Sequence, residues 1–198
     1  MKIIGHHTCD GKGSLVDIAE IAAYGPFLSM HEEPDKHKML GTGYYFFDNN
    51  MAVAHAHGKN RYKRQYHIFE AELALDDAIF LDLVGNRISI MYIQTVMQKF
   101  KPYTGEKWTL GSLIEFLKEK HKEESPKGVF PFPFKAIRVV DNSIEDDEQK
   151  SKGIKEDFRI YFFPDKDKYV NLSPIFTVCL LEKGASLIQS FKHKTTYP

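Results

Sequence analysis

From Tyr66 to Leu75 the residue types alternate. His67, Phe69, Ala71 and Leu73 share one side of an extended chain, and Tyr66, Ile68, Glu70 and Glu72 share the other. A period of two does not fit a helix, whose repeat is 3.6, so this run demands a β-sheet with a covering layer. Other strand-like runs surround it. Lys2 to Thr8 is short and rich in isoleucine, and Leu40 to Phe47 ends in Tyr44-Tyr45-Phe46-Phe47. Ile79 to Leu83, Phe158 to Phe163 and Pro174 to Leu181 also have strand character, the last two joined by a turn at 164–167. Val129 to Val140 is extended, with Pro131 and Pro133 confining its first half to an edge.

Helices fit between these runs. Ser14 can cap one through Tyr24, with Asp17 at the capping-box position and Gly25 as the stop. Asp48, Asn49 and Asn50 are good caps for a helix from Met51 to His57. Two more span roughly Ile88 to Phe100 and Leu110 to Lys120. Most strands lack a crossover-length helix between them, so the expected class is α+β.

The 198 residues suit one domain over 1–198. Lys+Arg and Asp+Glu number 27 each, which argues against a protein that coats nucleic acid through a global basic field. No apolar run is long enough to cross a membrane, and the N-terminus is too short and polar for a secretory signal. Two cysteines, Cys9 and Cys179, are too few for a disulfide framework, so a cytoplasmic setting is expected, with no membrane partner. The balanced charge is a sum of separated parts. Four cations lie in 59–64, residues 183–198 contain no acid, and a polar insertion at 141–157, expected to be mobile, holds seven acids and three lysines.

Several motifs have plain explanations. Gly11-Lys12-Gly13-Ser14 lacks the spacing of a phosphate loop and fits a turn before a capped helix. His55 and His57, two apart on a helix, point about 200° apart and cannot share a metal there; a solvated face explains them. His6, His31, His37, His67, His121 and His193 show no ligand spacing either, so no metal is expected. Glu70 and Glu72 could pair carboxylates for acid–base work, although a half-exposed strand accounts for both. The cations at 59–64 fit a solvated loop or a phosphate contact.

His7 and Tyr45 gain weight from their setting. His7-Thr8-Cys9-Asp10 closes the first strand, and Leu40-Gly41-Thr42-Gly43-Tyr44-Tyr45-Phe46-Phe47-Asp48-Asn49 lies between two capped helices. This arrangement resembles the ADP-ribosyltransferase fold, in its His-Tyr-Glu branch of poly-ADP-ribose-polymerase-like and diphtheria-toxin-like enzymes. Small bacterial toxin-like members have His-Gly-Cys-Asp and Leu-Gly-x-Gly-Ile-Tyr-Phe-Trp-Glu-Asn at the corresponding places. The likeness continues through Ala71–Leu75, Leu81–Leu83 and Phe134–Val140.

The resemblance implies split mixed β-sheets with flanking helices and an NAD-dependent mono-ADP-ribosyltransferase. His7 would bond a ribose hydroxyl, and backbone groups of Thr8 would hold the carboxamide. Tyr45 would stack on the nicotinamide, with Tyr44 or Tyr161 as a second wall. Gly43 and Arg159 complete the expected NAD-contacting set. The third motif falls at Asp157-Phe158-Arg159-Ile160-Tyr161, where Asp157 and Arg159 face the same way on a strand. The positive charge that develops on the sugar favours a carboxylate, hence Asp157 as the third catalytic residue. Thr8 stands where the family has Gly, which requires a backbone conformation that a β-branched residue tolerates.

By the same resemblance, the acceptor would be RNA, DNA or protein. The protein would serve as the toxin of a toxin–antitoxin or phage-defence system, with an antitoxin as partner. Two alternatives stay open: the same fold as a non-catalytic binding module with Arg159 in the third slot, or an unrelated α+β interaction protein whose aromatic strands are only core.

Overall fold

A computed structural model describes residues 1–11, 15–29, 39–62, 65–100, 108–124, 132–141, 159–161, 169–171 and 174–198. Its strands are β1 (Lys2–Asp10), β2 (Tyr44–Asp48), β3 (Tyr66–Ala74), β4 (Phe80–Asp82), β5 (Ala136–Asp141), β6 (Arg159–Tyr161), β7 (Tyr169–Asn171), β8 (Ile175–Leu180) and β9 (Ile188–Tyr197). Its helices are α1 (Leu15–Tyr24), α2 (Met51–Arg61), α3 (Arg87–Lys99) and α4 (Leu110–Glu124). Seven strands form one sheet in the order β4-β5-β8-β2-β1-β3-β9, and β6 and β7 form a separate ladder. Within the seven only β4 and β5 run parallel; the other neighbours are antiparallel. The class is α+β.

Alternation along the strands sorts the side chains onto two faces. Tyr45, Ile137, Val139 and Cys179 join Leu40 and residues of α3 and α4 in one core cluster. Phe46, Ala71, Leu73, Val178 and Leu180 build the cluster on the opposite face. On that second face, Ile21 and Ile18 of α1 pack against Cys9 and Phe69. Helix α2 covers the first face at its other end, where Ala54 meets Tyr66 and Ile68. None of the described helices is long and apolar enough to cross a membrane.

Local signals account for most helix ends. Gly25, at φ 84°, ends α1 and sends its N–H to Ile21 O at 2.8 Å, as a left-handed C-terminal residue does. Asn50 Oδ1 accepts the Val53 N–H at 3.0 Å and starts α2. The expected cap Ser14 and most of the insertion (142–157) lie outside the described residues, as do His31 and His37.

Three expectations are corrected. Helix α2 runs past His57 to Arg61, so Lys59 and Arg61 sit on its last turn and not on a loop; Lys63 and Arg64 lie outside the described residues. His55 is half-buried, its Nδ1 2.6 Å from the Tyr66 hydroxyl and its ring 4.0 Å from that of Tyr197, because α2 leans over β3 and β9. The chain also makes two strands not expected from its pattern, β7 and the ten-residue edge strand β9.

Candidate active site where two strands part

Strand β1 pairs with β3 along its whole length but with β2 only through Gly5 and His6. The hydrogen bonds Gly11 N–H to Gln65 O and Leu75 N–H to Met1 O, both 2.8 Å, set the phase of the β1–β3 ladder. In an antiparallel ladder alternate residues turn their N–H and C=O to opposite sides. Odd-numbered residues of β1 therefore face β3, and even-numbered ones face β2. The bond from Asn49 N–H to Ile4 O, 2.6 Å, obeys this. At Thr8 the β2 partner is gone, so its backbone groups look into a gap. Tyr62 Oη approaches the Thr8 carbonyl at 3.4 Å. Extended backbone tolerates the β-branch, and the Thr8 hydroxyl turns away to donate to Ala54 O at 2.9 Å.

The side chain of His7 bridges the gap. Its Nδ1 lies 2.9 Å from Tyr45 O, and its Nε2 lies 3.3 Å from the Phe27 amide nitrogen. An amide can only donate, so Nε2 carries the lone pair and Nδ1 the proton. The ring is buried among Phe27, Phe46 and Phe191. Burial holds its pKa down to about 4, although the bond to Tyr45 O pulls the other way. His7 is thus a neutral acceptor at physiological pH.

Tyr45 touches His7 through its backbone alone. It follows Tyr44 on β2, and its ring joins the α3–α4 cluster, whereas His7 packs beside Phe46 on the opposite face. Its hydroxyl donates to Gly41 O at 2.7 Å and accepts from Leu40 N–H at 3.0 Å. Burial raises its pKa far above the usual tyrosine range. Tyr44 packs with the second-face cluster. Gly43 exchanges both backbone hydrogen bonds with Ser29, at 2.9 and 3.0 Å. A Cβ there would come within 2.3 Å of Cys179 Sγ, so packing against β8 is enough to require a glycine.

The third motif stands apart. Arg159 and Tyr161 occupy β6, where they pair with Asn171 and Tyr169 of β7. Asp157 lies outside the described residues. The structure therefore brings His7, Thr8, Tyr44 and Tyr45 onto adjoining strands, with Gly43 just ahead of β2 and β6 in a ladder of its own.

Beside His7 opens a cleft of about 250 Å³, lined by Asp10, Asp17, Glu20, Ile21, Tyr24 and Phe27. Sequence reasoning passed over all but Asp10, which belongs to the His7 motif. Asp17 and Glu20 have ordinary helix spacing, and Phe27 sits in a stretch with no period. Elsewhere, the paired-carboxylate reading of β3 dissolves into separate ion pairs. Glu70 meets Lys194 at 2.8 Å and Glu72 meets Lys2 at 2.7 Å. Among the described residues no three His, Cys, Asp or Glu side chains gather as a metal site would need. Cys9 and Cys179 are free and buried, and burial raises both thiols to about 12.

No protein-family model, curated protein or solved structure matches the chain.

Proposed function

We propose that this chain is an NAD-dependent mono-ADP-ribosyltransferase of ADP-ribosyltransferase-like fold that modifies a macromolecular acceptor. One observation carries the reading. The two strands bearing the His and Tyr motifs part immediately after His6, and the Thr8 backbone turns into the gap beside the ring of His7.

The residues present suit parts of NAD. A primary carboxamide needs one acceptor and one donor, which the Thr8 carbonyl and amide supply. A ribose hydroxyl would donate to His7 Nε2, taking the place of the Phe27 amide, whose 3.3 Å contact is the longer of the two that the ring makes. The acids of the neighbouring cleft favour hydroxyl groups and positive charge, as on a pyridinium riboside, and oppose a diphosphate. NAD, when bound, supplies an activated glycosidic bond whose cleavage leaves positive charge on the ribose. A carboxylate from Asp157 would stabilise that charge. As a toxin, such an enzyme would be restrained by an antitoxin protein.

A second reading, a non-catalytic module of the same fold, has its own support. Both ring nitrogens of His7 and the hydroxyl of Tyr45 are already engaged within the protein. The deciding measurement is nicotinamide release from NAD in the presence of cell extract, comparing wild type, Asp157→Ala and Arg159→Ala. Transfer predicts turnover that Asp157→Ala abolishes and Arg159→Ala retains. NAD binding without release in any extract would establish the module, and neither binding nor release would remove NAD from the account.

A further inference from the structure

Where the second half of α4 faces the segment leading into β5, a cleft of about 370 Å³ opens, within the size range of small-ligand sites. Lys118, His121 and Lys122 line it from one face of α4, as their spacing of three and four residues dictates. Lys135 closes the opposite side, and Glu182 is the only acid among the described lining residues. The wall between them is apolar, made by Phe132, Phe134 and Leu181. Phe132 stands edge-on to Phe134 at 5.5 Å, and Phe134 edge-on to Tyr92 at 5.2 Å, which fixes both rings.

An anion would share two of these lysines with the carboxylates they already hold. Lys135 and Glu182 pair at 2.7 Å with both side chains about half exposed, and so solvated a bridge is easily exchanged. Lys118 pairs with Glu115 within its own helix. Lys122 has no carboxylate partner among the described residues. His121 Nδ1 accepts the Phe132 N–H at 3.2 Å. Three lysines around one cavity, one of them without a carboxylate partner among the described residues, select a phosphate. The apolar wall selects against a bare ion, which would gain nothing from it, and in favour of an attached flat ring system.

We infer that this cleft binds a nucleoside phosphate, with the phosphate on Lys118, Lys122 and Lys135 and the base against Phe134 and Leu181. None of these residues belongs to the strand gap, so the inference stands independently of the NAD reading.

Calorimetric titration of the full chain tests it with AMP, adenosine, inorganic phosphate and a short oligouridylate. AMP is expected to bind at least about tenfold more tightly than adenosine or phosphate alone. Lys122→Gln should weaken AMP by about tenfold, the loss of one charge-assisted bond, and Lys118→Gln/Lys122→Gln by more. Lys2→Gln, on β1 and outside the lining of either cleft, should leave AMP binding unchanged. Oligouridylate binding tighter than AMP, with steep salt dependence, would assign the site to a nucleic-acid strand. Comparable affinities would assign it to the free nucleotide. AMP binding that is absent, or equal in wild type and the folded double variant, overturns the site. Phosphate binding as tightly as AMP overturns the base subsite.

Discussion

Arg138 offers the sharpest test of what holds the sheet together. From β5 its Nη2 lies 2.6 Å from Asp48 Oδ2 on β2, and its Nη1 lies 3.9 Å from Asp82 Oδ2 on β4. Its guanidinium sits 4.8 Å from the centre of the Phe176 ring on β8. One side chain thus ties four strands. The three charged groups are largely shielded, with side-chain exposures of 17% for Arg138, 10% for Asp48 and 7% for Asp82. Arg138→Met keeps much of the stem but leaves two shielded carboxylates without the cation they share. Breaking a buried pair on one side costs about 3–5 kcal/mol. The contact to Asp48 is short yet off-axis, since neither Asp48 Oδ2 nor Arg138 Nε makes a hydrogen bond among the described residues. The lower end, about 3 kcal/mol, is therefore expected. In a chain of this size that lowers Tm by about 6–12 °C.

Urea unfolding gives the comparison at constant slope. The exposed pair Lys2–Glu72, 2.7 Å apart with exposures of 65% and 41%, is the control. Lys2→Met should cost less than about 1 kcal/mol. Adding Asp48→Asn to Arg138→Met removes one stranded charge and should recover about 1 kcal/mol. If Arg138→Met matched Lys2→Met, the shielded network would contribute no more than a surface pair, and the reasoning would fail.

Other expectations concern the strand gap and its surroundings. The folded ring of His7 has a pKa near 4 against an ordinary value of 6.5, so the unfolded chain binds the proton more tightly. Stability should therefore fall as pH drops from about 6.5 to about 4 and level off below, by about 3 kcal/mol from this residue. His7→Gln should flatten the profile in urea titrations between pH 4 and 8; His6 and His67, also lowered by burial, leave a residual slope of the same sign. Gly43→Ala should destabilise by about 1–3 kcal/mol through overpacking against Cys179, measurable by thermal melting without NAD. Glu115→Gln weakens the acceptor that holds the Thr42 N–H at 2.6 Å, loosening the turn that carries the partners of the Tyr45 hydroxyl. Faster amide exchange at Thr42 and Leu40 is the expected readout, and unchanged exchange would remove the role assigned to Glu115.

Strand β3 was legible almost to the residue: both faces are buried over Tyr66–Phe69, and from Glu70 on the half-exposed positions alternate with buried Ala71 and Leu73. The caps at Asn50 and Gly25 were equally legible, since each satisfies a local backbone need. The end of α2 was not: Gly58 lies inside the helix, where a Cβ would come within 2.3 Å of the Tyr66 ring, a contact made by a distant strand. Strand β9 stayed hidden because it lies at an edge and two register shifts against β3 break its alternation.

For the candidate site the division is similar. Residue order, setting and the family resemblance singled out His7, Thr8 and Tyr45 on two separate strands, and the pairing of those strands came only with the structure. Only the tertiary structure decided that β1 and β2 part after His6, that His7 and Tyr45 meet through a carbonyl while their rings take opposite faces, and that Phe27 closes over the imidazole. Helix caps and strand alternation act within a few residues and are written locally. Strand divergence and the tautomer of a buried histidine depend on partners about 20 and 40 positions away, which no local pattern encodes.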